Sequence, residues 1–211
     1  MSTNVVMTKP ECKGALTSLK DYREPDYLID KTELYIDLRE DITLVSSTLQ
    51  MRRNPNVASA SPSLILDGVG LELRMLVIDG KTLDESQYSV DEYSLSIGKV
   101  PVDFTLECVT AIKPKENTAL VGLYQSKGLY CTQCEPQDFR RITYYLDRPD
   151  VLSEFIVTLE ADKDLYPILL ANGNLIEEGE LEHNPRRHRA TWHDPFKKPS
   201  YLFAIVAGNL K

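Results

Sequence analysis

The chain has 211 residues and a formal net charge of −8, because 24 Lys and Arg residues stand against 32 Asp and Glu residues. Apolar residues make up 42% and charged residues 27% of the sequence, which is typical of a globular protein. The acidic balance argues against binding to nucleic acid or to an anionic membrane, since both need a basic face. There is no run of about 18 to 20 apolar residues that could span a bilayer, and no secretory signal is recognisable at the start. We therefore expect a cytoplasmic protein without nucleic-acid or membrane partners.

The chain falls into a short leader and one long region of strand-like alternation. Residues 1–19 show no periodic pattern, and we interpret them as a flexible leader to a domain that spans 20–211. Apolar and polar residues alternate along this domain, as in strands with one buried face. The alternation is clearest at 33–38, 71–77, 93–97, 104–110 and 155–159. In 71–77 it predicts that Leu71, Leu73, Met75 and Val77 share the inner face.

Turn signals separate these apolar runs. Asp79-Gly80, residues 126–128 and Asn172-Gly173 suit the positive φ angles of tight turns, so we predict a hairpin at each. About a dozen short strands joined in this way predict an all-β fold, either a large twisted antiparallel sheet or a β-sandwich. One helical turn is predicted at 148–152, and residues 54–63 are typical of an exposed loop.

Few residues of the sequence suit catalysis or metal binding. Cys131 and Cys134 form a Cys-x-x-Cys, but no second pair completes a zinc site and no strand-to-helix context favours redox chemistry; reduced packing thiols are the simpler interpretation. His183, His188 and His193 do not form H-E-x-x-H, and no nucleophile elbow, P-loop or G-x-G-x-x-G occurs. We therefore expect no metal ligands and no catalytic residues in this chain.

One segment carries two polar side chains in a suggestive place. The strand-like pattern ends at Gln133-Cys134-Glu135, and Pro136 stops any further ladder. Residues two apart share one face of a strand, so Gln133 and Glu135 would project together from the strand end. A carboxylate can accept hydrogen bonds from an ammonium group, and an amide can donate or accept. The alternative is that Glu135 pairs with nearby Arg140 or Arg141.

Long sequence strings from about residue 19 to 210 resemble the N-terminal domain of the bacterial aminopeptidase N family. Members of this family are alanyl aminopeptidases of the gluzincin class of zinc metallopeptidases. The strings are DYREPDY (21–27), GLYQS (122–126), CTQCE (131–135), FRRITYYLDRPDVL (139–152), YPILLANGN (166–174) and DPFKKPSYLFAIVAG (194–208). The resemblance implies a saddle-like all-β domain. In the family, this domain precedes a thermolysin-like catalytic domain, which supplies H-E-x-x-H and a G-A-M-E-N motif.

The resemblance also implies roles for residues of this chain. Glu135 would accept hydrogen bonds from the free α-amino group of a peptide substrate, and Gln133 would line the pocket for its first side chain. Zinc would belong to the full-length parent and not to this chain, which alone would be inactive. The partners would be the parent's own catalytic domain and peptide substrates, and an exposed apolar docking face would allow self-association. The alternative from a different class is a free-standing β-sandwich interaction module. Carbohydrate binding would need several aromatic platforms, whereas Trp192 is the only tryptophan.

Overall fold

The computed structural model describes residues 20, 22–57 and 63–210. The predicted leader 1–19 and residues 58–62 of the predicted loop lie outside the described residues. The described part is built of strands with a few three-residue 3-10 helices, and within it no helix is long and apolar enough to cross a bilayer. The strands are β1 (Tyr27–Leu38), β2 (Thr43–Arg53), β3 (Leu64–Asp67), β4 (Glu72–Ile78), β5 (Lys81–Thr82), β6 (Tyr88–Val90), β7 (Ser94–Ile97), β8 (Asp103–Ile112), β9 (Gly122–Ser126), β10 (Leu129–Gln133), β11 (Leu152–Asp162), β12 (Ile168–Ala171), β13 (Asn174–Leu181), β14 (Asn184–Pro199) and β15 (Ile205–Gly208).

The strands form three sheets, so the predicted all-β fold is confirmed. The largest sheet has eight strands in the order β13-β14-β11-β1-β2-β8-β4-β5, and it is antiparallel except for the parallel pair β1 and β11. A four-stranded sheet follows the order β12-β15-β10-β9, and a three-stranded sheet the order β3-β7-β6. One face of β1, β2, β8 and β11 is buried in a common apolar core, as the alternation predicts, whereas β13 at the sheet edge is almost wholly exposed.

Two of the predicted hairpins are confirmed and one is wrong. Asp79 and Gly80 both have positive φ, as do Lys127 and Gly128, and each pair joins two antiparallel neighbours. The turn at Asn172-Gly173 does not close a hairpin, because β12 pairs with β15 whereas β13 pairs with β14. This turn instead carries the chain from the four-stranded sheet to the large sheet.

Two further local predictions are wrong. In β4 a register shift between Leu73 and Met75 changes which side chains face inward. Met75 is therefore exposed, whereas Leu76 and Ile78 are buried in the core. Residues 148–152 form a turn and the start of β11 rather than a helical turn. Within 22–57 and 63–210, short 3-10 helices lie elsewhere, at Pro114–Glu116, Phe139–Arg141 and Ser200–Leu202.

Candidate functional site

Gln133 and Glu135 are both exposed at the end of β10. Gln133 is the last residue of the strand and pairs with Gly122 of β9. Cys134 follows and is buried, so it fixes the chain to the core between the two polar residues. Glu135 lies in the turn 135–138, beyond the ladder, so the strand ends earlier than the sequence pattern predicts. The two side chains are brought to one end of the strand, but they do not share a strand face.

Internal contacts fix the shape of the turn that carries Glu135. The Asp138 N–H donates to the Cys134 carbonyl at 3.2 Å, and Gln137 adopts a positive φ of 75° between them. The 3-10 helix that follows begins with Phe139, which is fully buried. Its ring makes edge-on contacts with three other rings, at centroid distances of 4.8, 5.0 and 6.1 Å, those of Tyr145, Phe203 and Phe155. The turn is therefore anchored to the core by the Phe139 ring.

A buried ion pair holds the same turn to the rest of the domain. The Asp147 side chain is buried and accepts hydrogen bonds from the Arg140 Nε at 3.0 Å and the Arg140 backbone N–H at 3.1 Å. It also accepts a hydrogen bond from the Ser200 hydroxyl at 2.6 Å. Arg140 reaches Asp67 as well, at 3.2 Å. Burial raises the pKa of Asp67, and Arg140 opposes that effect.

Arg141 is tied to the turn in a different way. Its Nε lies 3.4 Å from Asp138. Its Cβ approaches the backbone of β9 so closely that a Cβ at Gly122 would lie 2.6 Å away. Gly122 also has a φ of +69°, which a larger residue rarely adopts. Gly122 therefore allows β9, β10 and the turn to pack together.

These contacts leave the Glu135 carboxylate free. Arg140 pairs with Asp67 and Asp147, and Arg141 pairs with Asp138, so neither arginine neutralises Glu135. Among the residues that the structure describes, the side chains of Glu135 and Gln133 have no hydrogen-bond or ion-pair partner. The alternative prediction, in which Glu135 forms a rim ion pair with Arg140 or Arg141, is therefore wrong.

Glu135 lies at the wall of a pocket of about 370 Å³. The pocket is lined by the turn (Glu135, Pro136, Gln137), by residues that precede β11 (Asp147, Arg148, Pro149) and by the 3-10 helix after β14 (Ser200, Tyr201). Arg148 and Tyr201 are pocket residues that the sequence pattern does not predict. Both occur within strings that carry the family resemblance, and that was the available signal.

The described residues do not fit a metal site. No group of three or more His, Cys, Asp or Glu side chains converges within the described ranges. His188 contacts the Tyr166 carbonyl at 2.8 Å, and His193 pairs with Glu154 at 2.7 Å. Cys134 is buried, and burial raises the pKa of its thiol. A buried thiol with a raised pKa is a poor ligand, which is consistent with a packing role.

A larger pocket of about 430 Å³ is lined by Arg141 and by residues such as Leu71, Lys113 and Leu123. Lys113 is paired with Glu116, and Asn117 donates to the Val121 and Leu123 carbonyls. These polar groups of the larger pocket are therefore already paired within the domain.

Comparisons with known proteins agree on the family. The family model of the Peptidase M1 N-terminal domain matches residues 31–202 of the sequence. Aminopeptidase N of Caulobacter vibrioides is 46% identical over 193 residues, which cover 92% of this chain and 22% of that protein. Aminopeptidase N of Escherichia coli is 47% identical over 189 residues, 90% of this chain and 21% of that protein. The chain thus spans about a fifth of the length of these relatives.

Solved structures share the fold. Legionella pneumophila aminopeptidase A, in complex with aspartic acid, superposes with a TM-score of 0.86 at 39% identity, over 92% of this chain and 22% of that chain. An M1 zinc metallopeptidase from Deinococcus radiodurans has a TM-score of 0.73 at 16% identity, over 89% of this chain and 43% of that chain, and supports the fold alone. By its family match, its close relatives and its all-β architecture, the chain belongs to the Peptidase M1 N-terminal domain family.

Proposed function

We propose that the chain acts as the N-terminal domain of a zinc-dependent aminopeptidase, and that Glu135 accepts hydrogen bonds from the free α-amino group of the peptide substrate. The observation that carries the proposal is an unpaired carboxylate, held on a pinned turn beside a pocket, although two arginines lie nearby in the sequence. A carboxylate that only served stability would gain from pairing with one of them. The described residues offer no donor set for zinc, and the proposal assigns none of them to it.

The chemistry of Glu135 suits selection of a free amino terminus. An α-ammonium group offers charged donors to the carboxylate, and such hydrogen bonds are about twice as strong as neutral ones. A blocked or internal amine offers no matching charge, so the carboxylate would lose its hydration without gaining a partner. Gln133 lies at the adjacent strand end, where its amide would contact the first side chain of the peptide.

An exposed apolar face beside the pocket supports docking onto a catalytic domain. Leu152 of β11 pairs with Pro199 of β14, and Phe196 and Leu202 lie three residues to either side of Pro199. Leu152, Phe196 and Leu202 are 46%, 80% and 45% exposed. Large exposed apolar side chains on neighbouring segments are typical of an interface. We propose that the catalytic domain covers this face, which is continuous with Ser200 and Tyr201 of the pocket.

The most exposed of these residues is presented on a braced bulge. Asp194 pairs with Phe155 and Lys198 with Ser153, so residues 195–197 bulge outward opposite a single residue of β11. An ion pair between Lys198 and Asp194 closes the bulge, and Lys197 is paired with Asp30. Because both lysines are neutralised within the domain, burial of the bulge against a partner would leave no unpaired cation.

Kinetics of the full-length parent test the role of Glu135. Glu135→Gln and Glu135→Ala should lower kcat/KM for an alanyl anilide by roughly 2 to 4 kcal/mol of transition-state stabilisation, about 30- to 900-fold. Glu85→Gln is the matched control, because Glu85 is also exposed but lies in the loop between β5 and β6. Wild-type kinetics in both Glu135 variants would refute the anchoring role and would favour a purely structural domain.

A further inference from the structure

An extended segment ahead of β1 crosses the outside of the domain without joining a sheet. Residues 22–25 have no ladder partner and are held by side chains of distant segments. The Asn54 amide donates to the Pro25 carbonyl at 2.9 Å and to Glu24 at 3.1 Å. We call residues 22–25 the N-terminal strap. Its position is therefore set by specific polar contacts and not by sheet formation.

The other end of the strap is fastened to the turn before β11. Arg148 donates from Nη2 to the Arg23 carbonyl at 2.7 Å. The same guanidinium grips Asp150 with two bonds, from Nε at 2.8 Å and from Nη2 at 2.6 Å. The Tyr22 hydroxyl donates to Asp150 at 3.0 Å. Arg148 is thus the junction between the strap and the turn.

The same turn forms one wall of the pocket beside Glu135. Arg148 and Pro149 line this pocket together with Glu135 and Tyr201. The turn is held on its inner side by Asp147, which accepts from Arg140 and Ser200, and on its outer side by the strap. Loss of either fastening would let this wall move relative to Glu135, because residues 146–150 pair with no neighbouring strand.

We infer that Arg148 and the N-terminal strap are positioning elements of the amine-binding pocket: together they fix the wall that faces Glu135, and the strap does so from outside the pocket lining. The inference rests on the proposed function of Glu135. It assigns a role to the strap and to the DRPD part of the segment before β11, which meet through the Tyr22–Asp150 hydrogen bond and the bond from Arg148 to the Arg23 carbonyl. The strap therefore belongs to the substrate site, although it does not line the pocket.

Three variants of the full-length parent test the inference. Tyr22→Phe removes one hydroxyl from the junction, Arg148→Lys keeps the charge but cannot make the forked contact, and Arg148→Ala removes the junction. We expect kcat/KM to fall roughly three- to tenfold in each Arg148 variant, mainly through a higher KM, and less in Tyr22→Phe. Arg74→Ala is the matched control, because Arg74 also pairs with a carboxylate two residues away, that of Glu72, at 2.9 Å.

The decisive readout is coupling to Glu135. If Arg148 acts through the pocket, Arg148→Ala should lower kcat/KM in the wild-type background and have little further effect in a Glu135→Gln background. An equal effect in both backgrounds, or no effect in either, would overturn the inference and leave the proposed role of Glu135 intact. Wild-type kinetics in Glu135→Gln alone would overturn the proposed function, and this inference with it. Thermal unfolding of each variant identifies any loss of folded protein. If Arg148→Ala is unstable, the same comparison in the two backgrounds is made with Tyr22→Phe.

Discussion

The buried ion pair between Arg140 and Asp147 predicts an unequal response to the loss of either partner. Removal of the Arg140 side chain in Arg140→Met leaves a buried carboxylate with only the Arg140 backbone N–H and the Ser200 hydroxyl as donors. We expect the free energy of unfolding to fall by about 3 to 5 kcal/mol, as is usual when one partner of a buried pair is removed. Asp147→Asn should cost less, about 1.5 to 3 kcal/mol, because Arg140 keeps Asp67 at 3.2 Å.

Urea denaturation of the chain, followed by Trp192 fluorescence and circular dichroism, measures both costs. The double variant should be less destabilised than the sum of the single ones, with a coupling energy of about 1 to 3 kcal/mol. Losses below about 1 kcal/mol in both single variants, or strict additivity, would refute the idea that this pair anchors the turn carrying Glu135.

The site, the exposed face and the strap junction give three more predictions. Gly122→Ala should destabilise the chain by roughly 1 to 3 kcal/mol more than Gly128→Ala, because both glycines have positive φ but only Gly122 lacks room for a Cβ; equal urea midpoints would contradict this. Phe196→Ser should weaken self-association of the chain in sedimentation experiments, whereas Ile65→Ser, at another exposed site, should not; a wild-type chain that stays monomeric would count against the apolar docking face. Burial raises the pKa of Asp150, but hydrogen bonds from its two donors outweigh that effect and lower it. The Asp150 carboxylate should therefore stabilise the fold at neutral pH, and this contribution should be lost as the pH falls below 3.8, the ordinary pKa of an aspartate. Asp150→Asn should reduce the acid-induced decrease in the free energy of unfolding. An unchanged pH profile in this variant would argue against the junction.

The sequence allowed those parts of the fold to be predicted that depend on neighbouring residues. The hairpin at Asp79-Gly80 follows from two adjacent residues that tolerate positive φ. The turn at Asn172-Gly173 carries the same signal, but the sheet that the next strand joins depends on β14 and β15, far along the chain. The bulge in β4 reverses the burial of Met75 and Leu76, and the alternation of apolar and polar residues could not predict it either.

The candidate site shows the same division. The exposure of Gln133 and Glu135 follows from the end of a strand before a proline. The carboxylates that pair with the nearby arginines could not be predicted from the sequence, because Asp67 and Asp147 are brought to Arg140 by the tertiary structure. The pocket wall at Arg148 depends on contacts across the whole chain, so its place in the site could be seen only in three dimensions.

A crystal structure of the full-length parent with a bound amino acid or peptide would show whether the Glu135 carboxylate binds the amino terminus of the substrate. We expect a Glu135 carboxylate oxygen within about 2.7 to 3.2 Å of the α-amino nitrogen, with Arg140 still on Asp147. A Glu135 side chain that points away from the ligand, or that pairs with an arginine of either domain, would contradict the proposed anchoring role.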